Sequence, residues 1–167
     1  MIDWIIRDAT PADAAAIVAI FNPIIEAGAY TVFDTPFSVE AERDYIANQH
    51  SRGLFHVAVH PGEGDIVGFQ SMEPFAAYSG AFDHVGTIGT YVDLNRHRQG
   101  IAAALFPATF VAARRKGYEK LFTFVRADNP GAQATYLRHG FTIVGKAQRH
   151  AKINGQYIDE LMIEKFL

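Results

Sequence analysis

Residues 96–105 read RHRQGIAAAL. Arg96, His97 and Arg98 come first, Gln99 and Gly100 follow, and an alanine-rich run then favours helix. The start of a helix carries unpaired backbone N–H groups and about half a positive charge. Gly100 lets a ligand approach the backbone, Ala102 and Ala103 keep the first turn narrow, and the basic residues add charge. The stretch reads as a cradle for a diphosphate; the alternative is a solvated surface turn. It is not a P-loop, because the lysine–serine pair is missing. It is not a dinucleotide fingerprint either, because the first glycine of G-x-G-x-x-G is absent.

Working outward, VGTIGTYVD (85–93) reads as the strand that feeds this turn, and the helix after it runs to Lys116 with Gly117 closing it. Pro107 inside that helix is expected to kink it. KLFTFVRA (120–127) is the next strand, so the strand–helix–strand crossover makes two parallel strands. NPGAQATYLRHG (129–140) is a short helix, with Pro130 near its start and Gly140 at its end. FTIVGKAQRHAKI (141–153) and QYIDELMIEKF (156–166) form a hairpin through Asn154-Gly155.

Toward the N-terminus, WIIRDA (4–9) is a strand and TPADAAAIVAIFNPIIEAG (10–28) a helix, with Thr10 as N-cap, Pro11 at N1 and Asp13 at N3. Ser38 caps a second helix through about Ser51, and LFHVAVH (54–60) and IVGFQSME (66–73) are strands about a turn. The order is β-α-α-β-β-β-α-β-α-β-β, an α/β (α+β) arrangement around a mixed, mostly antiparallel sheet.

Composition bounds the function. The 167 residues are 49% hydrophobic and 20% charged, enough for one core. A net charge of −3 gives no global attraction to nucleic acid or anionic membrane. The absence of cysteine excludes disulfides and thiolate catalysis. Charges interrupt the first apolar run, MIDWIIRDAT, so it does not read as a signal peptide. No uninterrupted apolar stretch approaches the roughly 20 residues that span a bilayer, and a cytoplasmic protein is expected. The seven histidines show no ligand spacing, so no metal is expected.

YVDLNRHRQGIAAAL (91–105) and VRADNPGAQATYLRHGF (125–141), taken together, resemble the GNAT superfamily of N-acetyltransferases. That superfamily's pyrophosphate motif is Q/R-x-x-G-x-G/A, followed by N-x-x-A/S, a tyrosine and a Gly-Phe pair. AYTVFDTPFSVEAERDYI (29–46) and the ending INGQYIDELMIEKFL (153–167) resemble the branch containing phosphinothricin and small-amine acetyltransferases. His97 stands at the first motif position, Ala102 at the second glycine, and Leu94 where proline is frequent; none of these removes a backbone donor.

The resemblance implies the GNAT fold over residues 1–167 as a single domain, with flanking helices and splayed parallel strands 4 and 5. It implies acetyl-CoA as cofactor and transfer of its acetyl group to the primary amine of an amino acid or amino-acid-like small molecule. His97, Arg98, Gln99, Gly100, Ile101, Ala102 and Ala103 would hold the pyrophosphate. Thr90, Tyr91 and Val92 would pair with the pantetheine arm, with Asn129 and Ala132 on its other side and the Tyr136 hydroxyl near the sulfur. Members of the branch are often homodimers, and the ends of the last strands are available for pairing between subunits.

Chemistry then needs a base, since an alkylamine has a pKa of about 10. Thr87 stands where the branch carries glutamate, which argues against phosphinothricin itself as substrate. Glu73, His84 and Asp83 are the nearby replacements. Tyr30, Thr31, Phe33, Phe75, Tyr78 and Tyr157 are candidates for the acceptor pocket. Three other readings stay open: a coenzyme A-binding regulatory module without turnover, favoured by Thr87; a peptide N-terminal acetyltransferase; and a nucleotide-phosphate binder.

Overall fold

The computed structural model describes residues 2–167. Strands β1 (Ile5–Asp8), β2 (Leu54–Val59), β3 (Ile66–Pro74), β4 (Val85–Val92), β5 (Lys120–Arg126), β6 (Thr142–Ile153) and β7 (Gln156–Phe166) form one seven-stranded sheet in the order β1-β2-β3-β4-β5-β7-β6. Every residue of β2 is buried, which requires cover on both faces of the sheet. Its alternation supplies that: Phe55 and Val57 face the cluster of Ile17, Phe21 and Ile24 on helix α1 (Ala14–Glu26), joined by Ile46 of helix α2 (Val39–Ala47). Leu54 faces the opposite cluster, which holds Phe106 of helix α3 (Ile101–Arg115) and Tyr136 of helix α4 (Pro130–Arg138).

All neighbouring strands are antiparallel except β4 and β5. These run parallel but pair only at Val85–Lys120, Gly86–Leu121 and Thr87–Phe122. Past Thr87 they diverge, and the flank of β4 toward β5 is left with unpaired backbone groups. Such groups are costly to bury without a partner, so the gap is a place for something that can pair with a strand. β5 is meanwhile paired along its length with β7, from Lys120–Phe166 to Arg126–Glu160.

The element order matches the sequence reading, with local corrections. Thr10 precedes a single 3-10 turn at Pro11–Asp13 rather than α1 itself. Thr10 is the N-cap of that turn and forms the capping box with Asp13 that the sequence suggests, its hydroxyl also lying 3.1 Å from the Asp13 carboxylate. That carboxylate also takes the Thr10 N–H (2.7 Å) and both Arg7 Nη atoms (2.7 and 2.8 Å). Helix α2 stops at Ala47 and does not reach Ser51, because the Asn48 side chain donates to the Asp44 carbonyl (2.8 Å) and closes the helix there. Pro107, expected to kink α3, does not end it, and the helix continues to Arg115. Asn154 and Gly155 both take positive φ, 49° and 80°, as the tight hairpin requires. Among the described residues no helix is long and apolar enough to cross a membrane.

Candidate active site

The first helical bond of α3 runs from Ala104 N–H to the Gly100 carbonyl (3.1 Å). The amides of Ile101, Ala102 and Ala103 therefore have no acceptor within the helix, and no side chain caps them. They open onto a cavity of about 550 Å³ whose lining includes Thr90, Val92, His97, Arg98, Gly100, Asn129 and Tyr136. Gly100 has φ 81°, and a Cβ built there would meet nothing nearer than the Trp4 indole nitrogen at 4.0 Å. An anion fills that kind of space: donors converge on it and no side chain obstructs it. Gly68 of β3 sets the helix in place, since a Cβ there would lie 2.8 Å from Ile101 and 3.0 Å from the Tyr91 carbonyl.

Two contacts from elsewhere in the chain pin the turn before α3. The Trp4 indole N–H donates to the Gln99 carbonyl (3.0 Å), and Glu63 in the β2–β3 turn pairs with Arg96 (2.6 Å). Arg96 is thus paired, and the unpaired positive charge on the cavity lining comes from Arg98 and from Arg138 of α4, with His97 beside them. Gln99 is not part of the lining and contributes through that pinned carbonyl. Nothing in the local sequence marks Trp4 or Glu63 for this work.

At the divergence of β4 and β5 stands the Tyr136 hydroxyl, 3.1 Å from Thr90 Oγ1. Thr90 Oγ1 in turn accepts from Gln70 Nε2 (2.8 Å). Gln70 is fully buried and its Oε1 has no partner. Thr90 accepts from the amide and can also donate to the Tyr136 oxygen, an arrangement that would leave the phenolic proton free for the cavity. Burial pushes the Tyr136 hydroxyl well above the ordinary tyrosine value of 10.0, so it stays protonated at neutral pH. Gln70 was legible in principle, as a polar side chain inside the apolar strand IVGFQSME. The Asn129 side chain caps α4 by accepting from Ala132 N–H (3.1 Å), while still bordering the cavity.

Across β4 lies a second cavity of about 370 Å³, which adjoins the first at Tyr30, Thr90, Tyr91, Ala132 and Tyr136. Tyr30, Thr31, Phe33 and Glu73, all singled out in the sequence, line it. Glu73 is the direct cross-strand partner of Thr87. A carboxylate therefore occupies the same sheet face one strand over, held by a hydrogen bond from the Tyr45 hydroxyl (2.7 Å). Burial and the neighbouring Glu73 push the Tyr45 hydroxyl upward, so it remains a donor.

The remaining candidates fall elsewhere. His84 and Asp83 are exposed ahead of β4, outside both linings, and the His84 carbonyl takes the Glu119 and Lys120 amides. Phe75 packs on Phe82 and Phe122 away from the cavity, Tyr78 is 85% exposed, and Tyr157 is 58% exposed beneath Arg149 and Lys152. Glu160, which sequence reasoning passed over, does line the cavity. Its signal was parity: Ile158 and Glu160 share one strand face, and both are buried.

A splayed parallel pair, an uncapped helix start and a buried tyrosine at the fork define the acyltransferase class to which N-acetyltransferases belong. Residues 23–141 match the model of the acetyltransferase (GNAT) family, and the chain belongs to that family. In structure it is similar to a ribosomal-protein-alanine N-acetyltransferase from Brucella melitensis, with 27% identity, 98% of this chain and 99% of that one covered, and a TM-score of 0.91. It is similar also to an acetyltransferase of the GNAT family from Streptococcus pneumoniae (25% identity, 99% and 100% covered, TM-score 0.86). In fold it matches a phosphinothricin acetyltransferase from Sinorhizobium meliloti in complex with acetyl-CoA (19% identity, 98% and 88% covered, TM-score 0.89). No curated protein matches the chain in sequence.

Proposed function

We propose that this enzyme transfers the acetyl group of acetyl-CoA to the primary amine of a small molecule. The observation that carries the reading is the fork past Thr87, where unpaired β4 backbone, uncapped α3 amides and the Tyr136 hydroxyl meet in adjoining cavities. The residues fit the cofactor. Ile101, Ala102 and Ala103 amides, with Arg98 and His97, would hold its diphosphate, and the open flank of β4 at Thr90–Val92 would pair with its amide-bearing arm. Bound there, acetyl-CoA supplies the activated carbonyl and a thiol leaving group.

The chain's own groups supply the rest. A backbone N–H of β4 facing the fork polarises the carbonyl oxygen. Tyr136 donates a hydrogen bond to the departing sulfur. An ordinary thiol has a pKa of about 8.5, below that of the buried phenol, so Tyr136 stabilises the thiolate by donation rather than by full proton transfer. Glu73, anchored by Tyr45, accepts the proton that the ammonium loses before attack, and the second proton, released as the amide forms, ends on the thiolate sulfur to give free coenzyme A. Positioning in the fork does the remainder; oriented binding of this kind supplies about 7–11 kcal/mol of barrier lowering. Glu73 opposite Thr87 favours turnover over a regulatory module that only binds coenzyme A, because it supplies the carboxylate that Thr87 does not.

The direct test is thiol release. The protein is incubated with acetyl-CoA and a panel of amines, and free coenzyme A is followed. Amine-dependent release is expected; coenzyme binding with no acceleration by any amine would overturn the enzyme reading. The same reading extends to a homodimer, supported by β6, a 12-residue strand at the edge of the sheet. A monomer mass by sedimentation at micromolar protein removes that extension.

A further inference from the structure

Beyond β5, on the acceptor side of the sheet, lies a buried carboxylate with nothing to hold. Glu160 of β7 is 6% exposed, sits directly opposite Arg126 of β5, and lines the 370 Å³ cavity. Among the described residues its carboxylate takes part in no hydrogen bond and in no ion pair within 4 Å. Burial pushes its carboxyl above the ordinary glutamate value, and His150 and Arg126 pull it only partly back. A buried carboxylate is expensive unless something pairs with it.

Arg126 is not that partner. Its Nε and Nη2 clamp Asp128 (2.8 and 2.7 Å), and its Nη1 donates to the carbonyls of Gly28 (2.8 Å) and Thr31 (3.0 Å). Those four bonds use four of the five N–H groups a guanidinium possesses. They tie the loop after α1 to the end of β5. No lysine and no other arginine lines the cavity. Glu73 stands on the far wall, and Tyr30, Phe33, Tyr91 and Phe124 present aromatic surface between. The acceptor space thus holds carboxylates on two walls and π faces that favour cations, and its one cationic side chain, Arg126, is already held by Asp128 and two carbonyls. An amino acid would bring its carboxylate into this space with only that committed guanidinium to meet it.

We propose that the acceptor is a small diamine, an amine that carries a second cationic group and no carboxylate, and that Glu160 holds the second cation. The proposal rests on the acetyl-transfer reading only in naming this cavity as the acceptor site. It moves the substrate away from the amino-acid acceptors that the sequence resemblance suggests, toward the decarboxylated class.

The experiment compares 1,5-diaminopentane with lysine, which adds a carboxylate, with pentylamine, which lacks the second cation, and with an alanyl peptide amide. Binding to the coenzyme A-saturated protein is measured by calorimetry, and thiol release from acetyl-CoA is measured in parallel. The diamine is expected to bind about tenfold more tightly than lysine or pentylamine, and Glu160→Gln to bring it to the pentylamine level without altering coenzyme A affinity. Should the variant fail to fold, the wild-type panel decides by itself. Lysine or the peptide amide binding as tightly as the diamine, or no binding of the diamine, overturns the proposal. Diamine binding without thiol release leaves a diamine as the ligand of this cavity and removes acetyl transfer. Thiol release with equal preference for lysine and diamine does the reverse.

Discussion

Tyr136 owes its proposed role to two neighbours, Thr90 beside it and the buried Gln70 behind Thr90. Gln70 donates to Thr90, and in the proposed sense Thr90 donates in turn to Tyr136, which aims the phenolic proton at the cavity. Tyr136→Phe is expected to lower kcat about a hundredfold, the lower end of the effect of removing one donor to a developing charge, with coenzyme A affinity by calorimetry unchanged. An unaltered kcat would take the hydroxyl out of the reaction. Gln70→Leu removes the donor at the head of the chain and lets Thr90 and Tyr136 reverse their sense. A fall in kcat of about tenfold is expected, again with no change in coenzyme affinity. Wild-type kcat in a stably folded Gln70→Leu variant would show that the hydroxyl needs no orientation. Because burial raises Tyr136, no loss of rate through its ionisation is expected between pH 7 and 9.

At the scale of the element, the turn ahead of α3 is held from outside by Trp4 and Glu63. Trp4→Phe keeps the ring but loses the bond to the Gln99 carbonyl. The expected result is a coenzyme A Kd weaker by about fivefold in titration calorimetry, with kcat at saturation retained. An unchanged Kd would mean that the turn holds its shape unaided. The existence and order of the elements were legible because each carries local punctuation. Ser38 does accept the Ala41 amide (3.1 Å), Gly117 and Gly140 do adopt positive φ, and Asn154-Gly155 does close a hairpin. The end of α2 was missed because Asn48 competes for a helix carbonyl, a choice that propensity does not register. The uncapped start of α3 was readable for the same local reason. The acceptor side was not, since Glu73, Glu160 and Tyr45 meet only through strand register, and aromatic loop residues such as Tyr78 gave no sign of their direction.

Across the whole molecule a polar row crosses the first half of the sheet: Asp8, His56, Gln70 and Thr90 are successive cross-strand partners on β1 to β4. His56 is buried, its Nδ1 2.8 Å from the Thr109 hydroxyl of α3 and its Nε2 3.4 Å from Asp8. Burial lowers its pKa below the ordinary 6.5, and Asp8 offsets this only in part. A histidine held neutral in the fold favours the folded state above its unfolded pKa, and that contribution is lost as pH falls toward the folded pKa. Stability to urea is therefore expected to drop on going from pH 7.5 to 5.5, and His56→Gln to flatten the drop. An equal loss in the variant would assign the acid sensitivity to other groups. The row starts at the exposed Asp8 and ends at the fork, so the folded core and the reacting tyrosine share one line of side chains. Trp4 adds an optical consequence. It is the chain's single tryptophan, and its indole nitrogen lies 4.0 Å from where a Gly100 side chain would begin. Its intrinsic emission is therefore a label-free gauge of the cradle, and adding coenzyme A to the unmodified protein should shift that signal in step with occupancy.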